Sequence, residues 1–456
     1  MKFTKFGKAL LMGALSGGVI LGVTSCVRSY TVGYIYVTGT VTAQSNGSGI
    51  ISGYKIDHNT GFLTPINGMP VSSGGANPGR AILTTGSRFL YVLNLGTNPQ
   101  GGSTCTTSNP CQSSNITLFS VGGNGILTPQ QTFFTQGINP FRLVGDTSGN
   151  FLFVLDHDSA APNGLPSTAT NPNPTCSLSL GPAVTYCGDI TVFQINQTTG
   201  RLTLVQNAQA TSAKGSAINY FPVPPNPIDF SLAPGFMLTL SGTPATGDSV
   251  FPYVYSAASG QLSISQNSPQ PLGITQGTAI INASSTIYVL DNEPVTITSS
   301  STFKPGVYPS QVLPFTIGTN GALQAQTGGV IPGEPTLSNP VQILVESKGK
   351  FIYVANQGNN ITGNNPQSGM AGYFITTSLA YQLSFLNPPS YGTGSGPQCI
   401  VEDPSDQFIY TANLYDSTIT GRTVDPNDGV LNPLRVVNSY KLQGPANWCL
   451  INGRTD

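Results

Sequence analysis

The chain has 456 residues, only 8% of them charged, and a formal net charge of −1. Nucleic acid and anionic membrane surfaces both require concentrated Lys and Arg in a partner, and this balance excludes them. With 54 Gly and 36 Pro beside 38% hydrophobic residues, the composition suits many short strands joined by Gly, Pro, Asn and Ser turns better than long helices. Apolar residues recur regularly, which argues against disorder. The length alone suggests two or three domains, but all-β architectures often run this long as one unit.

Taken in chain order, the first element is an address. Lys2, Lys5 and Lys8 precede an apolar run from Ala9 to Val23, followed by Val23-Thr24-Ser25-Cys26. A charged start and a short apolar run describe a secretion signal, too short and too Gly-rich for a good membrane span. The last four residues resemble a bacterial lipobox, in which small residues precede a cysteine that is lipidated and becomes the mature N-terminus. Val23 departs from the usual Leu, and an ordinary signal peptide with an incidental Cys26 is the alternative. The expected division is a signal over residues 1–25 and a mature domain over 26–456, held at the cell envelope outside the cytoplasm. No other stretch is long and apolar enough to cross a bilayer, so membrane contact is expected through the lipid anchor only.

Without Cys26, six of the seven cysteines remain, an even number in an oxidising compartment. Cys105 and Cys111 flank one short loop, and Cys176 and Cys187 another, so each pair is expected to staple its own loop. Cys399 and Cys449 are left as a pair that bridges the inner strands of adjacent repeats if their α-carbons come within about 7 Å. Neither local pair has His neighbours or repeated Cys-x-x-Cys spacing, which argues against zinc. No metal site and no cofactor is expected.

The apolar segment Phe89-Leu90-Tyr91-Val92-Leu93-Asn94 returns as Phe151 to Asp156, Phe236 to Leu240, Ile287 to Asp291, Phe351 to Asn356 and Phe408 to Asn413, and Tyr34 to Thr38 is a seventh copy. Before each copy except the first lies a short apolar segment, often opened by Asn-Pro, as at Asn77, Asn139, Asn226 and Asn339. After it comes a third strand, then a Gly turn into a fourth, as in Thr60-Gly61-Phe62-Leu63-Thr64. Four short strands repeated seven times predict an all-β fold, a seven-bladed β-propeller of four-stranded antiparallel blades. The N-terminal repeat lacks its first strand and the C-terminus has a spare one, Asn447 to Ile451. Joined, they complete one blade and remove an open sheet edge. Two long Pro- and Asn-rich insertions, around Ala160 to Tyr186 and Ala213 to Pro225, are expected to cover one mouth of the channel.

The Tyr-Val-x-Asn strands and the Asn/Gly-Pro openings at Asn77, Asn139, Asn226, Asn339 and Gly396 resemble the lactonase-type seven-bladed propellers, related to 6-phosphogluconolactonase and to surface propellers of Tyr-Val-Thr-Asn repeats. The resemblance covers nearly the whole mature chain. It implies the fold, while one fold hosts many functions. Those lactonases often place His and Arg at the channel through Gly-Pro-Arg-His and end the second strand in Asn-Glu. Here the residues two after the Pro, or its counterpart, read as Arg80, Arg142, Asp229, Ile280, Gln342, Cys399 and Cys449, with no His. The acidic residue is missing at Leu95, Gln357 and Leu414. The two histidines, His58 and His157, fall elsewhere: His58 in a turn between outer strands, and His157 just past a second strand. Trp448 on the closing strand reads as a packing residue.

Arg80, Arg142, Asp229 and Gln342 are the candidate ligand-binding residues, because Arg suits bidentate contact with a carboxylate or phosphate. The alternative is an internal Arg–Asp pair that fills the channel with satisfied polar groups, the commoner fate of such pairs. Two functions follow. One is an extracytoplasmic binding scaffold for a small anionic or sugar-like ligand or an envelope protein partner. The other is a lactone hydrolase, against which the missing channel His and the expected export both count.

Overall fold

All six residues of Phe89–Asn94, Phe351–Asn356 and Phe408–Asn413 are buried. A strand with no exposed face must lie in a sheet covered on both sides. The computed structural model meets this requirement by stacking seven antiparallel sheets around an axis. It describes residues 30–453 apart from 42–46, 85, 87, 99–104, 213, 284–285, 301, 327–329, 360–366 and 377–381. The expected secretion signal and the lipid site at Cys26 lie outside the described residues.

Seven inner strands form the ring around the channel: Ala446–Gly453 for blade 1, then Pro78–Leu83, Ile138–Gly145, Pro227–Ala233, Gly277–Ala283, Pro340–Val345 and Pro397–Glu402 for blades 2 to 7. Each touches the next, and the last touches the first. The closing strand Ala446–Gly453 pairs antiparallel with Thr31–Thr40, with Cys449 opposite Val37, so the two ends of the chain share one blade as expected.

The repeated Phe-x-Tyr-Val has a structural cause. Its Phe packs on the turn glycine of the next blade, and its Tyr hydroxyl donates to that glycine's carbonyl. Tyr36 reaches Gly125, Tyr353 reaches Gly429 and Tyr410 reaches Gly61, each at 2.7 Å. Phe408 lies so close over Gly61, at φ 66°, that a side chain there would collide with the ring. Between blades 7 and 1, Phe408, Tyr410 and Ala412 meet Ile35, Val37, Ile56 and Leu63 in one buried cluster. Each large apolar side chain buried in such a seam contributes roughly 1.5–3 kcal/mol.

Two local elements were not legible in the sequence. The first insertion contains a helix, Pro174–Leu180, with Asn173 as its N-cap accepting from the Thr175 amide. Blade 5 carries an extra hairpin, Val295–Ile297 with Gly306–Tyr308. Three disulfides join Cys105 to Cys111, Cys176 to Cys187 and Cys399 to Cys449, with α-carbons 5.2, 5.8 and 5.8 Å apart. Among the described residues no helix is long and apolar enough to cross a membrane.

Candidate functional site at the channel mouth

The Asn-Pro openings shape the site. Asn77, Asn139, Asn226 and Asn339 hold φ between 49° and 58°, a left-handed turn that Asn tolerates and other side chains avoid. Immediately afterwards the ladder slips in every blade, between Pro227 and Asp229, Pro340 and Gln342, Pro397 and Cys399, and at the matching places elsewhere. Such a β-bulge leaves one residue unpaired and re-aims its side chain. The residues after the Pro or its counterpart, Gly79, Phe141, Thr278, Val341, Gln398 and Asn447, accordingly line a cavity of about 490 Å³ where the inner strands begin. Arg80, Arg142, Leu95, Leu414 and Trp448 complete most of its wall.

The paired register also corrects the expected ring. The residue two after the Pro position is Ala279 in blade 5 and Trp448 in blade 1, not Ile280 and Cys449. These two blades lack the Asn-Pro marker, so the register slipped by one in the sequence reading. Trp448 therefore stands in the ring beside Arg80, whose guanidinium carbon lies 4.8 Å from its ring centroid.

Asp229 is fully buried and accepts from Arg80 Nη2 at 3.3 Å, from Arg142 Nε at 3.1 Å and from the Ile280 amide at 3.1 Å. It does not line the cavity. Its role is to hold two arginines and stitch blade 4 to blade 5. Gln342 does not line the cavity either; its Oε1 accepts from the Ile400 amide at 2.9 Å and stitches blade 6 to blade 7. The Cys399–Cys449 disulfide is the covalent form of the same stitch, from the second position of blade 7 to the third position of blade 1.

Of the four candidates, Arg80 and Arg142 reach the cavity. Two guanidinium groups share one carboxylate there, leaving one positive charge over. Burial and the neighbouring Arg80 pull the Arg142 guanidinium down to about 10, against the opposing effect of Asp229. Arg142 still keeps 30% of its side chain exposed. The cavity wall therefore carries a partly exposed guanidinium beside a carboxylate that is already paired.

No described residue of the two long insertions lines this cavity, so the described parts do not provide the expected cover. They fold onto themselves, the first stapled by Cys176–Cys187, and with His157 and Asp158 bound a separate space of about 190 Å³. His157 lies within the second strand Phe151–Asp158, its Nδ1 3.2 Å from Asp158 Oδ1, and its ring centroid 6.0 Å from that of Phe141 in the channel wall. His58 sits in an outer turn and stacks on Tyr30. The sequence reading missed Gln398, Phe141, Thr278, Val341 and Asn447 as wall residues. Their signal was their place directly after the repeated Pro or its counterpart.

No protein-family model matches the sequence, and no curated protein does. Solved structures do match. The periplasmic gluconolactonase of Pseudomonas aeruginosa superposes with a TM-score of 0.61 at 16% identity, over 93% of this chain and 100% of that one. A candidate 6-phosphogluconolactonase from Bacteroides uniformis gives 0.61 at 12% identity, over 92% and 100%. One from Bacteroides fragilis gives 0.59 at 15% identity, over 92% and 98%. At these identities the likeness is one of fold, the seven-bladed propeller of the lactonase kind.

Proposed function

We propose that this chain is an exported, lipid-anchored propeller that works as a binding scaffold at the cell envelope, holding a small anionic ligand at the channel mouth. The observation that carries it is the unbalanced charge of Arg80 and Arg142 on Asp229, set in the wall of a cavity. Three disulfides and the likeness to a periplasmic protein support a place outside the cytoplasm. The ligand's carboxylate or phosphate would meet the free edges of the two guanidinium groups, a geometry that Arg serves better than Lys.

A second function, opening a lactone ring, is favoured by the gluconolactonase among the structural neighbours. It needs a group to take a proton from the attacking water. The described wall residues include no His, Asp or Glu. Binding without hydrolysis therefore accounts better for the residues in place.

The structure makes the two roles of Arg142 separable. When Arg142 is replaced by Ala, Asp229 keeps Arg80 and the Ile280 amide. The fold should then hold while binding of benzoate or gluconate weakens by about 1.5–3 kcal/mol, roughly ten- to a hundredfold. Calorimetric titration beside thermal melts tests this. A large drop in melting temperature with unchanged affinity refutes the binding site, and gluconolactone hydrolysis lost in the Arg142→Ala protein favours the enzyme instead.

A further inference from the structure

The polar side chains that the bulges turn toward the channel are mostly spent on the ring itself. Thr278 Oγ1 donates to the Pro340 carbonyl at 2.5 Å, and Asn447 Nδ2 to the Pro78 carbonyl at 2.7 Å. Asn77, at the rim, gives Nδ2 to the Gly96 carbonyl at 2.7 Å. Gln398 is different. It lines the same wall, yet its Nε2 is buried without a hydrogen-bond partner among the described residues. An orphaned buried donor costs about 1–3 kcal/mol, a cost that an acceptor in the cavity would remove once the amide turns toward it.

Gln398 belongs to blade 7, across the ring from Arg142 in blade 3. Between them the wall carries the apolar Leu95, Phe141, Val341, Leu414 and Trp448, and the polar Asn77, Arg80, Thr278 and Asn447 that share it are already engaged within the ring. Resting on the anion site proposed above, we infer that Gln398 is a second recognition group and that the ligand is a carboxylate with a largely apolar body and one further hydrogen-bond acceptor. Oxo- or acyl-substituted aromatic and short aliphatic acids form this class. A polyhydroxylated acid fits poorly, because each hydroxyl brought against this wall needs a partner and the inner-strand groups are already committed.

The test is calorimetric titration of the whole mature protein with benzoate, 4-acetylbenzoate and gluconate, in wild type, Arg142→Ala, Gln398→Leu and Gln398→Glu. In wild type, 4-acetylbenzoate should bind about tenfold tighter than benzoate, the worth of one hydrogen bond, and gluconate weakest. Gln398→Leu should erase that tenfold difference and leave benzoate unchanged. Gln398→Glu, nearly the same shape, should weaken all three acids and stands in if the Leu variant does not fold. An acetyl advantage that survives Gln398→Leu, gluconate binding tightest, or a folded wild type that binds neither aromatic acid overturns the inference. Affinities unaltered by Arg142→Ala overturn the anion site beneath it, a separate failure.

Discussion

Blade 3 contains a pair of acids that should make the protein less stable as pH rises. Asp156 and Asp189 face each other in register on neighbouring strands, both fully buried. Thr191 Oγ1 donates to Asp156 Oδ2 at 3.2 Å, and the two carboxyl groups lie within hydrogen-bonding reach of each other. Blade 2 places Asn94 and Asn115 in the same relation, joined by an amide hydrogen bond of 2.9 Å. Burial pushes Asp156 up from 3.8 to about 7, and burial with the charge of Asp156 raises Asp189 well above its ordinary value. At neutral pH the pair keeps at least one proton between them, and its titration belongs to both. Since the folded form holds protons that the unfolded form releases near pH 4, the pair's contribution to stability is fully present below pH 4 and is lost as pH rises through about 7. For the first titration of the pair, from 3.8 to about 7, the difference is on the order of 4 kcal/mol. Asp156→Asn brings one half of the blade 2 Asn pair into blade 3 and removes one titration. It should leave stability nearly unchanged at pH 4 and raise it by up to about 4 kcal/mol at pH 8, roughly 4 °C in melting temperature for a domain of this size. Scanning calorimetry of both proteins between pH 4 and 8 measures it. The difference between them matters, because the half-buried Glu402 and the buried Asp248 and Asp291 slope the same way in each. A variant that melts lower than wild type at pH 8, or a constant difference across the range, would refute the reasoning.

Tyr410→Phe removes the clasp from blade 7 to the Gly61 carbonyl of blade 1 and should cost about 1 kcal/mol in denaturant unfolding, with no change in ligand affinity. Replacing Cys399 and Cys449 together by Ser opens a link with a sequence separation of 50 and should cost about 2–4 kcal/mol. Non-reducing peptide mapping should recover all three disulfide-linked pairs, and free thiols at Cys105 and Cys111 would count against the stapled loop. Mass spectrometry of the protein extracted from membranes should find Cys26 at the N-terminus with attached lipid; an unmodified N-terminus beyond Cys26 refutes the anchor.

The propeller was legible in the sequence because its determinants are local and repeated. Phe-x-Tyr-Val marks a strand buried on both faces, Thr-Gly marks the turn it packs on, and Asn-Pro marks the left-handed entry to an inner strand. The spare strand at Asn447 to Ile451 fixed the closure, since an unpaired edge strand needs a partner. The local disulfides followed from spacing. The site was only half legible, and the reason is the bulge. A single unpaired residue after each Pro shifts which side chain faces the channel, and a count along the sequence cannot see a slip in pairing. Arg80 and Arg142 stayed in view because their side chains are long enough to reach the mouth from the second position, whereas Asp229 and Gln342, shorter, turn to the next blade instead. Gln398 and Trp448 entered the wall only when seven separate strands were brought into a ring. Neighbours across that ring lie up to hundreds of residues apart in the chain, so tertiary structure alone decided which polar groups satisfy one another and which donor is left without a partner among the described residues.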